Sequence, residues 1–155
     1  EALAGAGSQP ARRIVVSIPS RKVALVENGS VVKTWPAAVG ASATPTPAGV
    51  YEVVHRIPHP TWYPRGRVVP PGKANPLGTR WIGLSRKGYG IHGTNNPGSV
   101  GKPASLGCVR LRNADVEELF DRIAVGDTVE LYDTHTPELD RIFGEQLAAV
   151  VGGGD

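Results

Sequence analysis

Ile91-His92-Gly93-Thr94-Asn95-Asn96-Pro97 and, after a Gly- and Pro-containing connection, Ala104-Ser105-Leu106-Gly107-Cys108-Val109-Arg110-Leu111-Arg112-Asn113 hold the chain's single cysteine and the histidine nearest to it in sequence. A thiol attacks an acyl carbon as thiolate, and at an ordinary pKa of about 8.5 little of it is ionised near neutrality without a base or cation beside it. His92 is a base of the right kind. Gly93, Gly98, Gly101 and Gly107 allow the tight turns that would carry His92 back to Cys108. Gly107 also lets the backbone approach closely, making the Gly107 and Cys108 amides candidate oxyanion donors, each worth about 3 kcal/mol. The plain alternative is a buried structural thiol and a histidine that hydrogen-bonds in place. Chemistry alone leaves both readings open.

Outward from this stretch, short apolar runs predict strands. Ile14 to Ile18 and Val23 to Glu27 are two of them, and Asn28-Gly29 is a two-residue hairpin turn leading into Val31 to Gly40, because both turn positions tolerate positive φ. Gly49 to Ile57, Arg80 to Leu84 and Tyr89 to His92 follow. Pro45 and Pro47 keep Ala41 to Ala48 out of a central strand. His55 to Pro76, which holds Pro58, Pro60, Pro64, Pro70 and Pro71, is expected as a long loop, and such a loop inside a compact domain usually has a job, such as covering a substrate groove. Asn113 is expected to cap a helix reaching about Ala124, with Val116, Leu119, Phe120 and Ile123 as its apolar stripe. Asp127 to Tyr132 returns to strand. Thr136-Pro137 opens a second helix carrying Leu139, Ile142, Phe143 and Leu147 on one face, ended by Gly152 to Gly154.

The 155 residues fit one domain, and the 20 Gly and 14 Pro scattered among apolar runs point to many turns in a β-dominated fold. The formal charge of +3 comes from basic residues that do not gather into a stripe, so nucleic acid is not indicated and a monomer is the default. One cysteine forms no intramolecular disulfide and leaves the redox compartment open. His55, His59 and His135 lack metal-ligand spacing, so neither metal nor cofactor is expected. Glu1 to Ala11, rich in Ala, Gly and Ser, is expected as a linker, 12–133 as the domain proper and 134–155 as a helical extension.

The stretches His92 to Pro97 and Ala104 to Asn113 together resemble the signature of L,D-transpeptidase catalytic domains, the YkuD-type family. Thr44-Pro45-Thr46-Pro47-Ala48-Gly49, Pro60-Thr61-Trp62-Tyr63-Pro64 and Asn75-Pro76-Leu77-Gly78 are similar to that family as well, so the resemblance covers roughly residues 12 to 133. It implies a mainly β fold with one or two helices, a mixed β-sandwich. It makes Cys108 the nucleophile and His92 its general base, with the Gly93 carbonyl orienting the imidazole. Ser105, Gly107, Arg110 and Asn113 would shape the site, Arg110 either holding the active loop or meeting a substrate carboxylate, and Asn113 acting mainly as a helix cap. Trp62 and Tyr63 either line the substrate groove or pack the loop.

One position departs from the family pattern: Leu106 stands where a histidine usually precedes the glycine and nucleophile. Leucine neither donates a hydrogen bond nor carries charge, so any contact made by that second imidazole is lost. The expectation is that Leu106 packs against the site wall and catalysis continues with altered specificity. The resemblance implies a peptidoglycan tetrapeptide stem as donor, release of its terminal D-Ala, covalent inhibition by carbapenem-type β-lactams, and an extracytoplasmic location. Alternatives are a carboxypeptidase-type hydrolase of the same fold, or a noncatalytic wall-binding module with an ordinary thiol pKa.

Overall fold

The computed structural model describes residues 11–144. The expected linker, apart from Ala11, and Leu147 with Gly152 to Gly154 of the expected terminal helix lie outside the described residues. β1 (Arg12–Ser17) and β2 (Lys22–Glu27) are antiparallel, and β2 turns into β3 (Ser30–Pro36) through Asn28 and Gly29 at φ of 52° and 81°. Two positive φ values in succession are the geometry whose twist matches a right-handed hairpin. β1 pairs in parallel with β10 (Thr128–Tyr132), and β10 continues through β5 (Gly49–Pro58), β6 (Arg80–Leu84), β7 (Gly90–His92) and β9 (Val109–Arg110). The order of this eight-stranded mixed sheet is β3-β2-β1-β10-β5-β6-β7-β9, and β4 (Val39–Gly40) with β8 (Pro103–Ser105) forms a separate parallel pair.

The sheet curls until its two edges meet. Beyond β3 the chain reaches Ala38, which exchanges backbone hydrogen bonds of 2.7 and 2.9 Å with Arg110 on the opposite edge strand. Helix α1 (Asn113–Phe120) lies inside the curl: Glu118 accepts from Lys33 Nζ at 2.7 Å and Trp35 Nε1 at 3.1 Å on β3, while the Phe120 carbonyl accepts from Arg56 on β5. Val116, Leu119 and Phe120 pack there with Ile14, Leu25, Trp35, Ile82 and Ile91. On the outer face Leu139 of α2 (Pro137–Phe143) covers Val15, Ala24 and Val26. Strands buried on both faces read as continuous apolar runs rather than alternating ones, as Ile14-Val15-Val16 does.

The mainly β architecture with two helices agrees with the expectation, and Thr136 does cap α2, its side chain accepting from the Leu139 amide. Four expectations need correction. The strand over Val31 to Gly40 breaks after Pro36, whose missing N–H ends the ladder, and the chain moves to new partners. β5 runs to Pro58, one residue past its expected end and four residues into the expected loop. α1 stops at Phe120 rather than Ala124, because the Arg122 amide bonds back to Leu119 and Asp127 takes the Ala124 amide for a turn through Gly126. Asn113 is not its cap: it is the first helical residue, after Arg112 in extended conformation, and its oxygen is engaged elsewhere.

Candidate active site

His92 and Cys108 reach one hollow because β7 and β9 are parallel neighbours in a defined register. Ile91 pairs with Val109 and His92 with Arg110. Val109 is buried in the core, so alternation turns Cys108 and Arg110 to the other face, where His92 also lies. The imidazole is buried, its Nδ1 donating to the Gly93 carbonyl at 2.5 Å, which leaves Nε2 as the basic nitrogen. Trp81 stacks on the ring at 5.7 Å between centroids. The turn after His92 is held by Asn113, whose Oδ1 accepts from the Thr94 amide at 3.0 Å and the Thr79 amide at 3.2 Å. Gly78 and Gly93 are glycines here because a Cβ on either would run into Asn113.

Ser105 shapes the loop before Cys108. Its hydroxyl donates to the Cys108 carbonyl at 2.6 Å and accepts from the Gly107 amide at 3.1 Å. From outside, the Ala41 amide and Thr44 hydroxyl bond to the Ser105 carbonyl at 3.0 and 3.1 Å. Gly107 sits at φ +127°, and a Cβ there would press on the Tyr89 ring. Because Ser105 occupies the Gly107 amide, the expected pair of oxyanion donors reduces to Cys108 N–H, which takes part in none of the hydrogen bonds among the described residues. Only Gly101 and Gly107 of the four connecting glycines adopt positive φ.

Sulfur and imidazole rest as neutral groups. Burial lowers the His92 pKa to about 4, the nearby Arg110 charge adding to the effect and the Gly93 and Leu77 carbonyls opposing it. Burial also raises the thiol of Cys108, against weaker help from the Gly90 backbone and Arg110. Sγ stands 3.6 Å from the Gly88 carbonyl. Thiol and imidazole thus line one hollow as neutral groups rather than as a standing thiolate–imidazolium pair.

Two hollows of about 680 and 350 Å³ share Trp62, Leu77, Gly88 and Cys108 in their walls. Trp62 faces both, and Tyr63 lines the larger while remaining 73% exposed. Their loop is ordered by a Trp62–Val69 bridge and by buried Asn75, whose Nδ2 donates to Pro60 at 2.9 Å and to Val69 and Pro70 at 3.3 Å. Leu106 does not pack against the wall as expected; it lies at the mouth, 86% exposed, because Ser105 and Gly107 turn inward on either side of it. Sequence reasoning missed Trp81, Tyr89, Thr44 and the role of Asn75. A run such as Asn75-Pro76-Leu77-Gly78 signals a turn, but not which loop its amide ties down. Among the described residues no group of three or more His, Cys, Asp or Glu is placed to hold a metal ion.

This curled sheet is the fold of solved L,D-transpeptidases. One is L,D-transpeptidase 3 from Mycobacterium tuberculosis in complex with a faropenem-derived adduct: TM-score 0.66, 20% identity, 80% of this chain and 61% of that one. Another is an L,D-transpeptidase in complex with imipenem: TM-score 0.66, 24% identity, 79% of this chain and 59% of that one. At these identities the likeness concerns the fold. The family is settled by sequence: a model of the YkuD L,D-transpeptidase catalytic domain matches residues 11–131, and the chain belongs to that family. A putative L,D-transpeptidase YkuD of Bacillus licheniformis is 42% identical over 119 residues, which are 77% of this chain and 64% of that protein's length.

Proposed function

We propose that the chain is the catalytic domain of an extracytoplasmic L,D-transpeptidase that uses Cys108 to form a thioester on a peptidoglycan tetrapeptide stem. The observation that carries the reading is the β7–β9 register, which faces the single thiol and a buried, singly protonated imidazole toward one open hollow. Nε2 of His92 takes the thiol proton as Sγ bonds to the carbonyl carbon of the stem's third residue. The oxyanion is met by Cys108 N–H. Collapse breaks the C–N bond, the imidazolium gives its proton to the departing amine, and D-Ala leaves. An amine from a second stem then attacks the thioester with His92 again as base, joining two stems and restoring the thiol. Water in place of the amine gives a carboxypeptidase.

The test is to incubate the protein and its Cys108→Ala form with disaccharide-tetrapeptide and to weigh the products. Cross-linked dimer with loss of D-Ala, absent in the variant, is the expected result; a tripeptide alone means hydrolysis, and unchanged substrate sinks the reading. The raised thiol pKa no longer separates a catalytic from a binding role by itself, so turnover decides. Carbapenem exposure provides a second check: one covalent adduct on the wild type and none on Cys108→Ala, by intact mass.

A further inference from the structure

Trp81 lies where the strand face has been cleared for it. Ile82 and Ile91 point into the core, and on the other face of β6 and β7 Trp81 pairs directly with His92 and Gly83 with Gly90. A Cβ on Gly90 would come within 2.6 Å of the indole and 2.7 Å of the Ile82 carbonyl, and one on Gly83 within 2.9 Å of the indole nitrogen. Neither glycine adopts a positive φ, so the turn of the backbone does not require glycine at either place. Both make room chiefly for the indole, as a glycine inside a strand often does for a close neighbour. Trp81 lies over them and stacks on the imidazole, with ring centroids 5.7 Å apart and planes at 26°.

The ring it touches must carry charge during turnover. Once the thiol proton reaches Nε2, His92 is an imidazolium whose Nδ1–H donates to the Gly93 carbonyl, a dipole without net charge. A Ser-His-Asp triad has a buried carboxylate at that place, which orients the ring and stabilises its cation. Here the walls of the two hollows that open on Cys108 contain no Asp or Glu, and the charged group acting on His92 is Arg110, which opposes a second positive charge. Burial opposes it as well. The face of an indole attracts a cation within about 6 Å of the ring centroid, more strongly than other aromatic faces and most where water is excluded.

We propose that Trp81 is a positioning residue for His92: its face fixes the plane of the imidazole and stabilises the positive charge that the ring takes on each time it accepts a proton. Because that charge is absent from the resting enzyme, the contact favours the transition state over the bound substrate and acts on kcat rather than KM. The proposal rests on the transpeptidase reading and adds the group that serves in place of a carboxylate.

Tryptophans carrying from one to four ring fluorines are placed at position 81 alone, with Trp35 and Trp62 unchanged, and kcat and KM for release of D-Ala from a tetrapeptide stem are read. Fluorine withdraws charge from the face while nearly keeping the shape of the ring. The expected result is a stepwise fall in kcat with each fluorine, on the order of 10-fold over the series, at nearly constant KM. W81F, which keeps an aromatic face, is expected to retain more of kcat than W81L, which keeps only apolar bulk. The fluorinated series decides even where W81L does not fold. A flat series, or a loss carried by KM alone, overturns the assignment, makes the indole a packing group and leaves the transpeptidase reading standing. Wild type that releases no D-Ala and takes no carbapenem adduct on Cys108 removes that reading and this one with it.

Discussion

Cys108 rests as the thiol and His92 as the neutral imidazole, because burial disfavours both the thiolate and the imidazolium. Alkylation of Cys108 by iodoacetamide should therefore rise with an inflection above the ordinary thiol value of about 8.5, and Arg110→Gln should move it higher by removing the one nearby positive charge. An inflection below 8 would contradict the buried neutral thiol. The pairing of these two residues is legible in the sequence because thiol, imidazole and flanking glycines are chemically distinctive. The Ser105 clamp is not, because a hydroxyl that bonds the carbonyl three residues ahead depends on the turn it creates. Ser105 is then a positioning residue. Ser105→Ala should lower kcat about 10-fold with little change in KM, by loosening the one amide left for the oxyanion, while Ser105→Thr restores much of it; an unchanged kcat would mean the loop holds without the hydroxyl.

Helix α1 and the turn after β7 depend on each other through Asn113. The sequence shows a polar residue before an apolar stripe, and helix capping is the local explanation; the actual partners, Thr79 and Thr94, are 34 and 19 residues away and become neighbours only when the sheet curls. The same reason hides the break after Pro36, since β3's continuation finds Arg110 from the far edge. Local signals fared better where the partner is local, as at Asn28-Gly29 and Thr136-Pro137. Asn113→Ala leaves two amides without their acceptor and should cost about 2 to 4 kcal/mol in denaturant unfolding, whereas Asn113→Asp keeps an oxygen in place and should cost less. Activity should fall with Ala beyond the stability loss, because the Gly93 carbonyl that orients His92 rides on that turn. Equal stabilities of the Ala and Asp variants would show that the acceptor is not what matters.

The molecule closes a mixed sheet on itself around one helix, so neither edge strand is left free over its whole length and the site is built where the edges join. That closure also buries His92, and burying a titratable ring links global stability to pH. The imidazole titrates near 6.5 when exposed by unfolding and near 4 in the folded chain. Between those values the unfolded state binds a proton that the folded state does not, so stability falls as pH drops through the window and is retained above it. From pH 7 to pH 4.5 the loss assignable to this one ring is about 2 kcal/mol. Glu118, whose pKa is lowered chiefly by its hydrogen bond to Lys33, gives up its contribution only below the ordinary carboxylate value of 4.5, outside that span. Urea midpoints of wild type and His92→Gln, compared at both pH values, isolate the effect: wild type should lose more stability on acidification than the variant by about that amount. Parallel losses in the two proteins would mean that the ring at position 92 reaches solvent and protonates without unfolding, and the picture of a buried neutral base would have to be given up.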